Sequence, residues 1–251
     1  MRGEISIDKI KCKEERSIQL ITGEQLLEVF AAYNQQIWPM PVVVYLLGIS
    51  GLFLAVRKTA YSSRVIPAIL AFFWLWVALM FWLPSGLQGF SPGYIFAALF
   101  LIQGVLFLVY ALKPKLFFGF KKDAYSFAGI VFALYALVGY PLFSALLGHI
   151  YPRTPIFGLT PCPVIAYTFG LLLLTERKVP KVTLIIPFFY ALSGFLWISI
   201  GMVEDIGMLV SGLLGAWLIW IRDARRASVP SESVPEPEPG AAWSLDLLDK
   251  D

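Results

Sequence analysis

Leu147–Gly170 reads LGHIYPRTPIFGLTPCPVIAYTFG, and the way this stretch divides decides how often the chain crosses a membrane. It holds the only histidine, His149, one of two cysteines, Cys162, and the prolines Pro152, Pro155, Pro161 and Pro163. Each proline ring fixes φ and removes an N–H donor, so a segment this rich in proline and glycine follows a set path. The apolar run that begins inside it, residues 162–175, is short of the roughly 17–25 residues that a membrane helix needs. It reaches that length only by borrowing residues 157–161. A re-entrant or broken helix is the alternative, tolerated only where protein or water covers its backbone.

The rest of the chain fixes the class. Of 251 residues, 58% are apolar, 16% aromatic and only 15% charged, outside the ordinary soluble range. No carboxylate occurs between Glu28 and Asp123, and a soluble domain could not keep its surface wet that way. The chain reads as an all-α membrane protein whose first partner is the lipid bilayer. The net charge of +3 then gives no reason to expect nucleic acid. Cys12 and Cys162 make neither a disulfide framework nor a CxxC metal pair. Seven apolar runs, at about 40–56, 65–83, 92–112, 124–147, 162–175, 182–203 and 206–221, predict seven transmembrane helices within a domain spanning 39–221.

Residues 1–21 form a polar N-terminal tail without the apolar core of a cleaved leader. Residues 22–38 read as an interfacial amphipathic helix. Thr22 and Gln25 fit a capping box, and Leu26, Leu27, Phe30, Tyr33 and Ile37 share one face, with Glu24, Glu28 and Gln35 on the other. Asn34 and Trp38-Pro39 are expected to end it. Residues 222–251, with their Pro/Glu-rich stretch from Ser228, read as a disordered cytoplasmic tail.

Basic residues set the expected orientation. Arg57, Lys58, Arg64, Lys113, Lys115, Lys121, Lys122, Arg177, Lys178, Lys181, Arg222, Arg225 and Arg226 fall in one set of connections, and only Arg153 in the other. That asymmetry places the C-terminus in the cytoplasm and the N-terminus outside. An internal match adds a second expectation. Pro39, Pro41, Val42, Tyr45 and Gly48 align with Pro161, Pro163, Val164, Tyr167 and Gly170, and Arg57-Lys58 and Ile66-Pro67 have counterparts in Arg177-Lys178 and Ile186-Pro187. A 3+1+3 parallel repeat, with the fourth span as linker, would produce this and agrees with the charge-derived topology.

No apolar run carries an ionisable side chain in its middle, which argues against proton-coupled transport. One histidine excludes a bis-histidine haem within one chain, no P-loop, HExxH or GxSxG occurs, and no cofactor is implied. Polar residues within the runs, Gln103 and Thr168 among them, read first as helix-packing points and second as solute ligands. On the outer face His149, Arg153, Cys162, Glu204 and Asp205 remain. Cys162, His149 and Asp205 together could supply a nucleophile, a base and an orienting group, or ligands for a soft metal. The plainer alternatives are an imidazole bonded to a loop carbonyl and a thiol packed as a small hydrophobe.

Tyr33-Asn34, Trp38-Pro39, Gly148-His149-x-Tyr151-Pro152, Pro155-x-Phe157-Gly158, Pro161-Cys162-Pro163, Thr168-x-Gly170, Pro187 and Asp205, in that order, resemble an uncharacterised family of bacterial multi-pass inner-membrane proteins, a domain-of-unknown-function family. The family pattern reads Leu-Pro-Cys-Pro-Thr where this chain has Thr160 before Pro161 and Val164 after Pro163. The resemblance covers residues from about 26 to 221 and implies a bacterial inner-membrane location but no activity. The leading expectation is binding or facilitated passage of a small solute, with no enzymatic activity. A membrane enzyme or metal-handling protein, and a sensor or partner subunit, are the alternatives.

Overall fold

The computed structural model describes residues 22–228; the expected polar tail at 1–21 and the segment beyond 228 lie outside them. Among the described residues the chain is all-helical, apart from one isolated antiparallel bridge between Phe118 and Thr175. The helices are α1 (Gly23–Gln36), α2 (Met40–Arg57), α3 (Ser62–Leu87), α4 (Pro92–Leu112), α5 (Ala124–Leu146), α6 (Pro161–Leu173), α7 (Val182–Ser199) and α8 (Ile206–Ser228), the last entered through a 3-10 turn at Val203–Asp205. Six of them, α2, α3, α4, α5, α7 and α8, are long and apolar enough to cross a membrane.

The fifth apolar run behaves differently from the span expected of it. It forms α6, 13 residues long and so about 20 Å, and every residue of α6 is buried. Cys162 at its start meets Asp205 before α8, and Leu172 and Leu173 at its end meet Arg222 near the end of α8. α6 therefore runs beside α8 in the same direction, wrapped by protein along its whole length, and it does not turn back.

Arg222 explains how so short a helix can stop inside the bundle. The last carbonyls of a helix lack intrahelical partners. Arg222 Nη1 donates to the carbonyls of Leu172 and Leu173 at 3.2 and 2.9 Å, and its Nη2 donates to Thr175 Oγ1 at 3.0 Å. Arg226 Nη1 adds a bond to the Thr175 carbonyl at 3.2 Å. α8 consequently continues to Ser228 rather than giving way to a tail at residue 222, because these arginines are packed against α6. Gly170 brings α6 close to α5: a Cβ there would lie 2.7 Å from Ala133 N and 2.8 Å from the Gly129 carbonyl oxygen. The two backbones touch because neither carries a side chain at the crossing.

The connections gather at two ends. At the basic end Lys58 pairs with Glu176 at 2.7 Å, Arg177 stacks 3.9 Å from the centre of the Phe117 ring, and Arg226 donates to the Arg177 carbonyl at 3.2 Å. The opposite end holds His149, Arg153 and Glu204. The expected 3+1+3 repeat finds no matching packing. α6 lies along α8, the first and third helices of the second triplet, whereas α2 and α4 scarcely touch. The difference follows from burial, since α2 sits on the rim with most of its residues facing outward.

α1 closes the His149 end. Thr22 Oγ1 accepts from Gln25 N at 3.3 Å and Gln25 Oε1 from Thr22 N at 2.9 Å, a complete capping box. Leu26, Leu27 and Phe30 are buried. Asn34 does not end the helix. It is fully buried inside it, and its Nδ2 donates to the carbonyls of Pro152 and Thr154, each at 2.7 Å. Tyr33 donates to the Leu159 carbonyl at 3.0 Å while accepting from Trp76 Nε1 at 2.7 Å, and burial pushes its phenol above the ordinary range. Arg153 reaches back to Glu24 and lies 2.9 Å from Glu28. The hydrogen bond it donates to Glu24 holds that guanidinium above its ordinary value.

Candidate functional site

Two helices change pitch where they approach the His149 end. α3 widens into a π-helix over Val77–Trp82 and α5 over Tyr135–Gly139. Each widening is followed by a proline, Pro84 or Pro141. Proline has no N–H and crowds the carbonyl four residues back, so a wider turn just before it relieves both defects. The π turns bring Phe81 and Trp82 from α3, and Tyr135 and Tyr140 at α5, toward the start of α8. Gly207 makes room for this: a Cβ there would fall 2.0 Å from the Tyr135 ring. The Tyr135 hydroxyl then donates to the Glu204 carbonyl at 2.7 Å.

Glu204 and Asp205, adjacent on one 3-10 turn and both buried, point to different partners. Glu204 Oε1 accepts from His149 Nδ1 at 2.8 Å and lies 3.1 Å from Ser144 Oγ. Ser144 Oγ is in turn 2.9 Å from Thr154 Oγ1. Asp205 Oδ1 accepts from the Tyr140 hydroxyl at 2.5 Å, and its Oδ2 accepts from Cys162 Sγ at 3.2 Å. Cys162 and Asp205 thus meet, but His149 faces Glu204 instead of joining them. A cysteine nucleophile is activated by cationic neighbours, whereas this thiol is a donor to a carboxylate. Among the described residues no group of three or more His, Cys, Asp or Glu side chains is placed to hold a metal.

Beside Asp205 lies a cleft in two compartments, sharing Leu26, Phe81, Trp82 and Trp197 as common walls. The outer compartment, about 580 Å³, opens between Val29, Ser85, Gln88 and Phe90. The inner one is smaller and ends on Tyr140, Cys162, Tyr190 and Asp205, and every residue that lines it is buried. Leu26 and Phe30 of α1 form its cover. Among the described residues Trp82 Nε1 and the Tyr190 hydroxyl are buried without hydrogen-bond partners, a costly state that a bound polar group would relieve.

Three other expected site residues do structural work. Arg153 ties the loop to Glu24 and Glu28 on α1. Gln103 Nε2 donates to the Thr183 carbonyl at 3.1 Å, joining α4 to α7. Thr168 Oγ1 donates to the Val164 carbonyl at 2.7 Å and accepts from Trp74 Nε1 at 3.0 Å. Tyr140, Tyr190, Trp82 and Trp197 escape a search for ionisable or small polar residues, because an aromatic ring counts as apolar while its tip is a hydrogen-bonding group. For Trp82 and Tyr140 the signal was the proline that follows each, Pro84 or Pro141.

The chain matches, over residues 23–229, a family described as "Family of unknown function (DUF6064)". No curated protein and no solved structure matches it.

Proposed function

Since the chain belongs to this family of unknown function, we propose a role from the site alone: a membrane protein that binds a small solute in the cleft under α1. The observation that carries the proposal is the pair of buried groups without a hydrogen-bond partner among the described residues, Trp82 Nε1 and the Tyr190 hydroxyl, on the walls of a largely aromatic and aliphatic cleft. An apolar pocket with a few convergent polar groups is the usual form of a small-molecule site. The cleft ends against the first turn of α6, whose residues are all buried, so binding is the better supported part of the reading. Passage would require α6 to part from its neighbours.

The basic asymmetry and the family resemblance support a bacterial inner membrane, with the His149 end outside and the basic end in the cytoplasm. α1 would then lie over the outer mouth, with Glu24 and Glu28 toward the headgroups. A cysteine introduced at Gln88 should label with an impermeant maleimide from outside intact cells, and one at Lys115 should not; the reverse pattern overturns the orientation.

Binding is tested by screening small solutes against the purified full chain, reading thermal stability and tryptophan emission. Solutes that occupy the cleft should lose their effect in Leu26→Trp, which fills the shared wall. Hits indifferent to that change would place binding elsewhere and remove the proposal.

A further inference from the structure

Asp205 is 2% exposed, yet among the described residues it forms no ion pair. Its two hydrogen bonds come from a phenol and a thiol, which are neutral donors. A carboxylate has about four lone-pair sites, so acceptor capacity remains on both oxygens. The one nearby imidazole, His149, is engaged by Glu204. A buried carboxylate ordinarily has a cationic partner, and this one faces a cleft.

The walls suit a cation. Trp82 stands 5.0 Å from Phe81, 6.2 Å from Tyr190 and 6.2 Å from Trp197, ring centre to ring centre. Aromatic faces attract cations through their quadrupoles, most strongly when water is excluded. The inner compartment has room for roughly one water-sized group, which is also the size of a primary ammonium head. The outer compartment, apolar apart from Ser85 and Gln88, has space for a hydrocarbon body.

Resting on the solute-binding reading above, we infer that the ligand is a small primary amine. Its ammonium head lies in the inner compartment between Asp205 and the Tyr190 hydroxyl, and its apolar body fills the outer compartment against Trp82 and Trp197. The ammonium supplies the charge that Asp205 lacks and a donor to the Tyr190 oxygen. An acceptor on the body would meet Trp82 Nε1.

The test compares 2-phenylethylamine with 2-phenylethanol, alike in shape but differing in head-group charge, by calorimetry on the full chain in zwitterionic nanodiscs at pH 7. The amine should bind at least about tenfold more tightly, as a desolvated ion pair with aromatic walls implies. Asp205→Asn should erase the preference, and Trp82→Leu should weaken the amine more than the alcohol. Equal binding of both probes, or an amine preference that survives in a folded Asp205→Asn protein, overturns the amine inference and leaves solute binding standing. Failure of both probes while an uncharged solute from the screen binds has the same meaning. Failure of every solute removes both proposals.

Discussion

Arg222 Nη1 lies 2.9 Å from the carbonyl oxygen of Leu173, so the last turn of the central helix is completed by a side chain from its neighbour. The guanidinium is 3% exposed and its Nε is held 2.9 Å from Asp223 Oδ1. Removing it strands two helix carbonyls and half of a buried pair. Arg222→Ala should lower unfolding free energy by about 2–4 kcal/mol, seen as an earlier thermal transition in detergent. Arg222→Lys should recover only part of this, because a point ammonium cannot reproduce the planar fork. An alanine variant as stable as the parent would show that α6 ends without this cap.

Asn34 fastens α1 to the loop through two carbonyls, Pro152 and Thr154. Asn34→Ala should cost about 1–3 kcal/mol, and Asn34→Asp as much, since a carboxylate has no N–H to donate. The loss is local, so the sensitive readout is hydrogen exchange across residues 23–36, which should accelerate while the core helices stay protected. Unchanged exchange in α1 would mean that Leu26, Leu27 and Phe30 hold the helix alone.

These two side chains show where reading the sequence succeeds and where it stops. Thr22 and Gln25 announce the start of α1 because a capping box is local. Arg222 looked like the first residue of a tail and Asn34 like a helix stop. Their partners lie far away in sequence, 49 residues away for Arg222 and Leu173, and nothing local marks them. The burial of α6 was equally hidden. Its residues are apolar on every face, and such a helix reads the same whether lipid or protein surrounds it. The pairing at the candidate site was not legible either: Glu204 and Asp205 are neighbours in the chain, and one 3-10 turn aims them apart.

That divergence is measurable. A double-mutant cycle on His149 and Glu204, both to alanine, should give a coupling of about 1.5–3 kcal/mol, the range for hydrogen bonds to charged groups. The same cycle on His149 and Asp205 should give a value near zero. A larger coupling for the second pair would restore the expected convergence of His149, Cys162 and Asp205.

Cys162 separates a chemical role from a packing role. Its thiol donates to Asp205 Oδ2, and the residue is buried and lines the inner compartment together with Phe30, Pro161 and Trp197. Serine keeps a donor at that point and alanine does not. Cys162→Ser should therefore bind the screened solutes within about threefold of the parent, allowing less than 1 kcal/mol for the shorter, more polar side chain. Cys162→Ala should destabilise the protein by about 1–2 kcal/mol by taking a hydrogen bond from a buried carboxylate. A nucleophile or a soft-metal ligand would behave in the opposite way, because serine replaces neither at sulfur's reactivity. The thiol should also react slowly with maleimide in the intact protein, faster in Asn34→Ala as α1 loosens, and more slowly again with a cleft ligand bound. Rapid labelling in the parent, unaffected by Asn34→Ala, would show that α1 does not cover the cleft.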